Sequence, residues 1–517
     1  MTRFWRGVGL GRGALSPADS FRRGALSPAD RLTWAVHSLL VAVLVWRHEP
    51  WRDELQAWSI AMATDTPWGL FPNTRLEGRP PGWQLLLWPF AQITTSVRVL
   101  QLVAFIVGLV AAWWWLRLAS LAWWLKALVM FGFLFTGGYF VHARDYVLSF
   151  MLLVLSVAVY RRHGAGWRLA VMLCLLAFAN AFSLAMAAAF VAAAWLGEAA
   201  GLLQRDATGD ATWRRIEWFG SAALCVAWFA WAAYLTYPTD DNQFQVGKYK
   251  GFGQALTKSF IPLNYEWAWL ARIDDWLAAL LLLGVLAYAW SRSLVAFGFA
   301  VLSFAMLLYN LTYGYGDYWW HFGNAMLVTM TVVCFAARDD GMSGGQAATG
   351  GQRAARGRAV LGGLARVGTV ALVIIAALDF AANRYGAGPE VYSNRPYSMT
   401  QIAAQQIEAV CDGCTVIVDW DAVGAGVSAH LDGRELYYLN RREFGTFAKF
   451  SNKNTPPTWD DAIAAMQRFD KPIFVHSGAY FSGSPPCCLN LMHVNGEGRH
   501  DTNLVWQLEA DPVVPED

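Results

Sequence analysis

The segment RLTWAVHSLLVAVLVWRHEPWRDE, residues 31–54, decides the fold class of this chain. Residues 31–47 are mostly apolar, and their length is close to the roughly 20 residues that an α-helix needs to cross a bilayer. A dense group of charged residues follows immediately and ends in Arg52, Asp53 and Glu54. Charges are costly inside a membrane and common at its boundary, so the segment predicts a membrane span followed by a charged loop.

The composition of the whole chain also indicates a membrane protein. Of its 517 residues, 56% are hydrophobic, and 28 are Trp and 30 are Phe. This is too apolar for an ordinary soluble protein, and amphipathic aromatic rings collect at membrane interfaces. The net charge is only +2, and no polar segment carries a basic stripe with interleaved aromatics, so we expect no nucleic-acid partner.

About eleven segments are apolar and long enough to be predicted as membrane spans. They are residues 31–47, 98–117, 120–139, 145–160, 168–183, 184–203, 215–237, 273–290, 293–313, 320–337 and 359–381. Asn180 and Ser183 mark a tight turn between two of them. The apolar segment 81–93 is shorter and contains Pro89, so we predict a helix on the membrane surface there.

The distribution of basic residues tests this count, because cytoplasmic loops carry an excess of Lys and Arg. If the arginine-rich residues 1–30 are cytoplasmic, every cytoplasmic connection carries basic residues, from Arg117 and Lys126 in the first to Arg353 and Arg356 in the last. Counting 81–93 as a span would place every later connection on the opposite side of the membrane and so put the basic connections outside. The predicted outer segments are residues 48–97, 139–145, 238–272, the turn 314–319 and 382–517.

The C-terminal region is more polar than the rest of the chain. Thr415–Val418 and Pro472–Val475 have the pattern of short buried strands, and Met399–Val410 and Trp459–Phe469 have that of amphipathic helices. This alternation predicts a small α/β domain. The predicted parts of the chain are a basic cytoplasmic tail at 1–30, an all-α multi-pass membrane bundle at 31–381 and an extracytoplasmic α/β domain at 382–517.

Four of the seven cysteines belong to this C-terminal domain: Cys411, Cys414, Cys487 and Cys488. An exterior compartment is oxidising, so we predict structural disulfides, whose pairing the spacing leaves open. No second CxxC pair or His cluster indicates zinc in this domain.

Acidic and basic residues gather in three segments on the predicted outer face. The first is Arg52-Asp53-Glu54, and the second is Glu77-Gly78-Arg79-Pro80-Pro81. The third lies in the turn 139–145 and contains His142, Arg144 and Asp145. A carboxylate can act as a general base, and a guanidinium can hold a phosphate, so this set suits an anionic lipid-linked substrate.

These residues resemble the GT-C superfamily of polytopic glycosyltransferases, which includes the protein O-mannosyltransferase and lipid A aminoarabinose transferase types. The resemblance covers about residues 31–330. It is carried by Glu49-Pro50-Trp51-Arg52-Asp53-Glu54 with Gln56-Ala57-Trp58, by Glu77-Gly78-Arg79-Pro80-Pro81 and by Ala143-Arg144-Asp145-Tyr146. Position 79 is Arg where the family often has His, and position 145 is Asp where Asn is frequent, so the local charge differs.

The resemblance implies an inverting transfer of a sugar from a polyprenyl-phosphate donor to an acceptor hydroxyl at the outer face of the cytoplasmic membrane. Asp53 would be the general base, and Glu54 is the second catalytic candidate. The candidates for binding the substrate and the lipid phosphate are Arg52, Glu77, Arg79, His142, Arg144, Asp145 and Lys248. The donor sugar stays open, as does the acceptor, which could be a glycan, a lipid or a protein.

Several alternatives stay open. We expect metal-independent chemistry because no ligand spacing is present, although Asp53, Glu54 and Asp145 could hold Mg²⁺ or Mn²⁺, as in some GT-C members. A flippase for a lipid-linked sugar is a second function, but transporters favour inverted repeats and binding near the midplane, whereas these charges gather at one face. The third alternative is a non-catalytic membrane protein in which these charges form structural ion pairs. His37, inside the first span, is expected to be a hydrogen-bonded core residue.

Overall fold

The computed structural model of the chain describes residues 26–203, 209–237, 239–241, 252–260, 274–313, 319–335, 352–385, 398–410, 413–476, 489–494 and 504–508. In this part of the chain, helices dominate up to residue 410, and a six-stranded sheet with flanking helices follows.

The helices before the sheet fall into two groups, those that precede and those that follow residue 204. The first group is α1 Pro28–Arg47, α2 Arg52–Met62, α3 Gly82–Ala91, α4 Val97–Leu118, α5 Trp123–Met130, α6 Asp145–His163, α7 Trp167–Ala177 and α8 Ala181–Leu203. The second is α9 Gly209–Thr236, α10 Phe252–Phe260, α11 Asp274–Arg292, α12 Leu294–Tyr313, α13 Asn324–Val332, α14 Gln352–Tyr385 and α15 Thr400–Val410. Single helical turns occur at Pro67–Gly69, Leu70–Asn73, Arg75–Glu77 and Trp319–Phe322.

Seven of the described helices are long and apolar enough to cross a membrane, namely α1, α4, α6, α8, α9, α12 and α14. They coincide with seven of the predicted spans. Helices α7 and α11 are apolar but shorter, and the total of about eleven spans stays a prediction. The apolar segment 81–93 forms only the ten-residue helix α3, as its length and Pro89 indicate.

Two predicted spans are not continuous helices, and glycines explain where they break. In segment 120–139, α5 stops at Met130, and Asp379 of α14 accepts a hydrogen bond from the Leu134 amide at 3.2 Å. A Cβ at Gly132 would lie 2.2 Å from that Asp379 carboxylate, which would have to move. In segment 320–337, α13 begins after Gly323, where a Cβ would lie 2.4 Å from the Tyr139 hydroxyl. Glycine is also a poor helix former, which favours an interruption at both places.

The exposed face of α1 is that of a lipid-facing helix. Its exposed apolar residues recur every three or four positions and form one stripe: Leu32, Val36, Leu39, Val43 and Trp46. Such a stripe is unfavourable in water and suits the hydrocarbon region of a membrane. The opposite face is buried, and there His37 is hydrogen-bonded to the Phe135 carbonyl at 3.2 Å, which confirms it as a hydrogen-bonded core residue.

The C-terminal region forms an α/β domain, as its sequence pattern predicts. Its elements after α15 are β1 Thr415–Val418, α16 Asp421–His430, β2 Leu436–Tyr438, β3 Glu443–Gly445, α17 Trp459–Arg468, β4 Pro472–His476, β5 Leu489–Val494 and β6 Leu504–Leu508. The strand order is β3-β2-β1-β4-β6-β5, with β1 parallel to both β2 and β4. Helices α15 and α16 pack on one face of the sheet, and α17 packs on the other. Both predicted strands and both predicted helices are present with ends within one residue.

The C-terminal domain rests on the first loop of the helix bundle. Ser59 of α2 donates a hydrogen bond to the Ala425 carbonyl of α16 at 3.1 Å, and Thr95 donates to Asp432 at 2.7 Å. Ser451 also donates to Asp241, beyond the end of α9, at 2.6 Å. Three segments predicted to share one face therefore meet at one end of the bundle.

The opposite end of α1 is fixed by a buried ion pair. Lys126 of α5 lies 3.2 Å from Asp30 in the first turn of α1, and both side chains are nearly inaccessible. Lys126 also donates to the Leu116 carbonyl at 2.7 Å, so its ammonium group has two partners. The N-terminal end of α1 and the connection between α4 and α5 thus lie together, away from the C-terminal domain.

Candidate functional site

Helix α2 presents two neighbouring carboxylates in different directions, one accessible and one buried. Arg52, Asp53 and Glu54 form its first turn, where negative charge is favourable because the backbone N–H groups point outward. Glu54 accepts a hydrogen bond from the Trp51 amide at 3.2 Å and so fixes the start of the helix. Successive helical residues are about 100° apart, so Glu54 is fully buried while the side chain of Asp53 keeps 32% of its surface exposed.

Asp53 is held between two guanidinium groups. Its Oδ2 lies 3.1 Å from Arg144, and its Oδ1 lies 3.7 Å from Arg52. Arg144 immediately precedes α6, and its guanidinium lies over the rings of Trp51 and Tyr146 at 6.0 and 5.3 Å from their centroids. Burial by itself lowers the pKa of Arg144, but the carboxylate of Asp53 outweighs this and holds it above its ordinary value. The guanidinium therefore stays charged beside an accessible carboxylate.

A second, more buried ion network lies around Arg79. Its guanidinium contacts Glu77 at 2.8 Å and Asp145 at 3.6 Å. Burial lowers the pKa of Arg79, but Glu77 and Asp145 outweigh burial and raise it above its ordinary value. Within the described part of the chain, Oδ1 of Asp145 and Nε of Arg79 are buried without a hydrogen-bond partner. A buried polar atom without a hydrogen bond costs free energy, and a bound polar ligand could supply the missing bonds.

Gln56 connects this network to the C-terminal domain. Its Nε2 donates to Glu77 at 2.8 Å and to the Ala448 carbonyl at 2.9 Å, and its Oε1 accepts from the Ala448 amide at 2.8 Å. Asp53 and Gln56 are three residues apart and so lie on the same side of α2. The loop that follows β3 is therefore tied directly to the charged residues of the first loop.

A third cluster, formed by His48, Glu54 and His142, lies beneath the charged surface. Glu54 Oε1 is 2.8 Å from Nε2 of His48, and Oε2 accepts a hydrogen bond from the Ala143 amide at 2.6 Å. Burial raises the pKa of Glu54, but the neighbouring His48 outweighs it and leaves the pKa below its ordinary value. Burial lowers the pKa of His142 to about 4, so this imidazole is neutral at pH 7.

The structure brings together eight of the nine candidate residues that the sequence indicates. Six form the charged surface: Arg52, Asp53, Glu77, Arg79, Arg144 and Asp145. Glu54 and His142 instead lie below it, and Lys248 lies outside the described residues. Of the C-terminal cysteines, Cys414 is disulfide-bonded, and the other three also lie outside that part of the chain.

Two residues of the site were not among the candidates. His48 caps the end of α1, and Gln56 belongs to α2. The spacing of three residues between Asp53 and Gln56 could have indicated Gln56, because residues about one helical turn apart are neighbours on a helix surface. His48 is six residues from its partner Glu54, which is not a helical spacing, and its other neighbour His142 is 94 positions away in a different loop.

No protein-family model matches this chain, and no curated protein matches it either. A functional inference for this chain therefore rests on the geometry of the site. The site offers one accessible carboxylate between two guanidinium groups, beside the more buried ion network of Arg79, at one end of a bundle of apolar helices. This arrangement can accept a proton and hold an anionic group at adjacent positions.

Proposed function

We propose that this protein is a membrane glycosyltransferase that moves a sugar from a polyprenyl-phosphate donor to an acceptor hydroxyl, with Asp53 as the general base. The observation that carries the proposal is the placement of Asp53. It is the exposed carboxylate of the site, and it lies 3.1 Å from the buried guanidinium of Arg144.

The proposed reaction begins when the acceptor hydroxyl donates a hydrogen bond to Asp53. As the acceptor oxygen attacks the anomeric carbon, its proton passes to the carboxylate, and the bond between that carbon and the phosphate oxygen breaks. Polyprenyl phosphate leaves with the bonding electrons, and the configuration at the anomeric carbon inverts. Charge grows on the phosphate in this step, so a permanently charged guanidinium beside it lowers the barrier.

The other residues of the site have supporting roles in this proposal. Arg144 and Arg52 flank Asp53 and are positioned to bind the donor phosphate, because a guanidinium matches phosphate oxygens with paired N–H donors. Glu77 and Asp145 keep Arg79 charged and oriented. Glu54 is fully enclosed by His48, Trp51 and Ala143, so we assign it to holding α2 in place instead of to proton transfer.

The proposed location is the cytoplasmic membrane, with the site and the C-terminal domain on its outer face. Two facts support this orientation. The segments that the basic-residue pattern predicts to be outside meet at one end of the bundle, and the Asp30–Lys126 pair lies at the other. A donor held by its polyprenyl chain would reach Asp53 from the membrane, because α2 directly follows the span α1.

Purified full-length protein with a panel of radiolabelled undecaprenyl-phosphate sugars tests the proposal. Membrane extract supplies the acceptors, and release of undecaprenyl phosphate is measured. Asp53→Asn is expected to lower the rate by about 10²- to 10⁴-fold, the range typical of a lost general base. Asp65→Asn is the matched control, because Asp65 is an exposed acid of the same loop.

Two results would contradict the proposal. One is release of undecaprenyl phosphate that Asp53→Asn leaves unchanged in a folded protein. The other is movement of the intact donor between the leaflets of a vesicle without cleavage of the sugar–phosphate bond, which would identify a flippase.

A further inference from the structure

The cluster of His48, Glu54 and His142 joins three separate parts of the chain. His48 follows the end of α1, Glu54 lies in the first turn of α2, and His142 lies in the loop before α6. One potential ligand atom from each residue lies within 4.8 Å of the others, and all three residues are buried. The two imidazole rings meet edge to face with their centroids 4.8 Å apart.

The hydrogen bonds of His142 determine which of its nitrogens carries the proton. Nδ1 lies 2.9 Å from the carbonyl oxygens of both Gly137 and Gly138. A carbonyl only accepts hydrogen bonds, so Nδ1 is the N–H donor and Nε2 carries the lone pair. Metal-bound histidines in proteins are oriented in this way, with the second ring nitrogen donating to a backbone carbonyl.

The buried carboxylate of Glu54 is held by one imidazole and two backbone amides. In the part of the chain that the structure describes, its ion-pair partner is His48, and no Lys or Arg lies within ion-pair distance. A buried carboxylate is costly unless it is paired or bound to a metal. A divalent cation between the three side chains would compensate its charge.

We propose that His48, Glu54 and His142 bind a zinc ion or a similar transition-metal ion. Two imidazoles and one carboxylate are a ligand set that zinc favours, whereas Mg²⁺ and Mn²⁺ prefer oxygen ligands. Zinc lies about 2.0–2.2 Å from such ligands, which places the ligand atoms of a tetrahedral site roughly 3.4 Å apart. Glu54 Oε1 and His48 Nε2 are 2.8 Å apart and would separate slightly, and no two of the three ligand atoms are more than 4.8 Å apart. The side chains of Asp53 and Asp145 are not part of this site, because their ion-pair partners are arginines.

The metal would act as a structural clamp next to the charged surface. Glu54 is adjacent to Asp53, and His142 is two residues before Arg144. Fixing Glu54 to His142 therefore fixes the distance between Asp53 and Arg144, which is 3.1 Å in this structure. The clamp does not depend on the reaction that the surface performs.

The metal content of full-length protein tests the proposal. The protein is purified in detergent through a peptide affinity tag, without a metal column or chelator, and analysed by inductively coupled plasma mass spectrometry. About one equivalent of zinc is expected. His142→Gln is expected to weaken zinc binding by at least about 100-fold, because even outer partners of metal ligands are worth 10- to 100-fold. His37→Gln is the matched control, since His37 is also buried and hydrogen-bonded to a backbone carbonyl.

Replacement of zinc by Co²⁺ gives a second readout that needs no variant. A four-coordinate site with nitrogen and oxygen ligands gives a visible absorption band, and this spectrum decides the matter if His142→Gln does not fold. Wild-type protein that binds neither added zinc nor Co²⁺ would overturn the proposal. So would a folded His142→Gln variant that keeps its zinc. No donor sugar is used, so the result is independent of glycosyl transfer.

Discussion

The contact between Gln56 and Ala448 gives the sharpest test of how the C-terminal domain is held on the first loop. Gln56→Met keeps the length of the side chain and removes all three of its hydrogen bonds. The two bonds to the backbone of Ala448 are worth about 1 kcal/mol each, and the bond to the Glu77 carboxylate is worth about 1.5–3 kcal/mol. Glu77 belongs to the first loop itself, so the variant loses about 2 kcal/mol of interaction between loop and domain, from the two bonds to Ala448.

Hydrogen exchange at the Ala448 amide measures this loss directly. Ala448 is buried and donates to Gln56, so its exchange requires the contact to open. A loss of about 2 kcal/mol in the opening free energy corresponds to an exchange rate about 30-fold higher. Mass spectrometry of peptides that cover residues 445–454 gives the rate.

Gln92→Met is the control for this experiment. Gln92 donates to the carbonyl of Ala61 at 3.0 Å, within the first loop, so it should leave exchange at Ala448 unchanged. The reasoning is refuted if folded Gln56→Met raises the exchange rate at Ala448 by less than about threefold.

Three further predictions concern stability. Lys126→Met should destabilise the protein by about 3–5 kcal/mol, because it leaves the buried Asp30 carboxylate without its ion-pair partner, and the midpoint of thermal unfolding measures the effect. Gly323→Ala should cost about 1–3 kcal/mol in the same assay, since the new Cβ would lie 2.4 Å from the Tyr139 hydroxyl, which must move. Burial lowers the pKa of His430 to about 4 in the folded state. Because that value lies below the unfolded value of 6.5, folding excludes a proton, and stability should fall by about 1.4 kcal/mol per pH unit as the pH drops from 6.5 towards 4. His430→Gln should reduce this slope in thermal melts recorded across that range.

The elements whose patterns are local were predictable from the sequence. Helix α1, strand β1 and helix α17 begin and end close to where hydrophobic periodicity and flanking polar residues indicate. The short helix α3 was predictable too, because the number of apolar residues limits its length. The tight turn at Asn180 is confirmed, since its side chain accepts a hydrogen bond from the Ser183 amide at the start of α8.

The continuity of the spans was less predictable, because it depends on residues from elsewhere in the chain. Segment 120–139 is apolar enough to be one helix. It breaks at a glycine that makes room for Asp379, about 250 residues later. Hydropathy records the length of an apolar segment, but it does not record what packs against that segment.

For the candidate site, the sequence alone predicted which charged residues lie together at one end of the helix bundle. The prediction needs only the number of spans and the Lys and Arg content of the connections between them. Each span moves the chain to the other side of the membrane, so no tertiary contact enters the prediction. The segments around Asp53, Arg79 and Arg144, which were predicted to share one face, are in contact in the structure.

Only the tertiary structure decided which of these charged side chains are accessible and which are buried. Asp53 and Glu54 are neighbours of the same chemical type, yet one is accessible between two arginines and the other is enclosed with two histidines. The helix phase separates the two side chains by about 100°, but the loop around His142 and the C-terminal domain determine which direction is buried. Gln56 meets Ala448 across 392 positions of sequence, and no local pattern contains such a contact. Burial and pairing are set by the elements that pack together, and these decide whether a carboxylate accepts a proton, binds a metal or holds a helix.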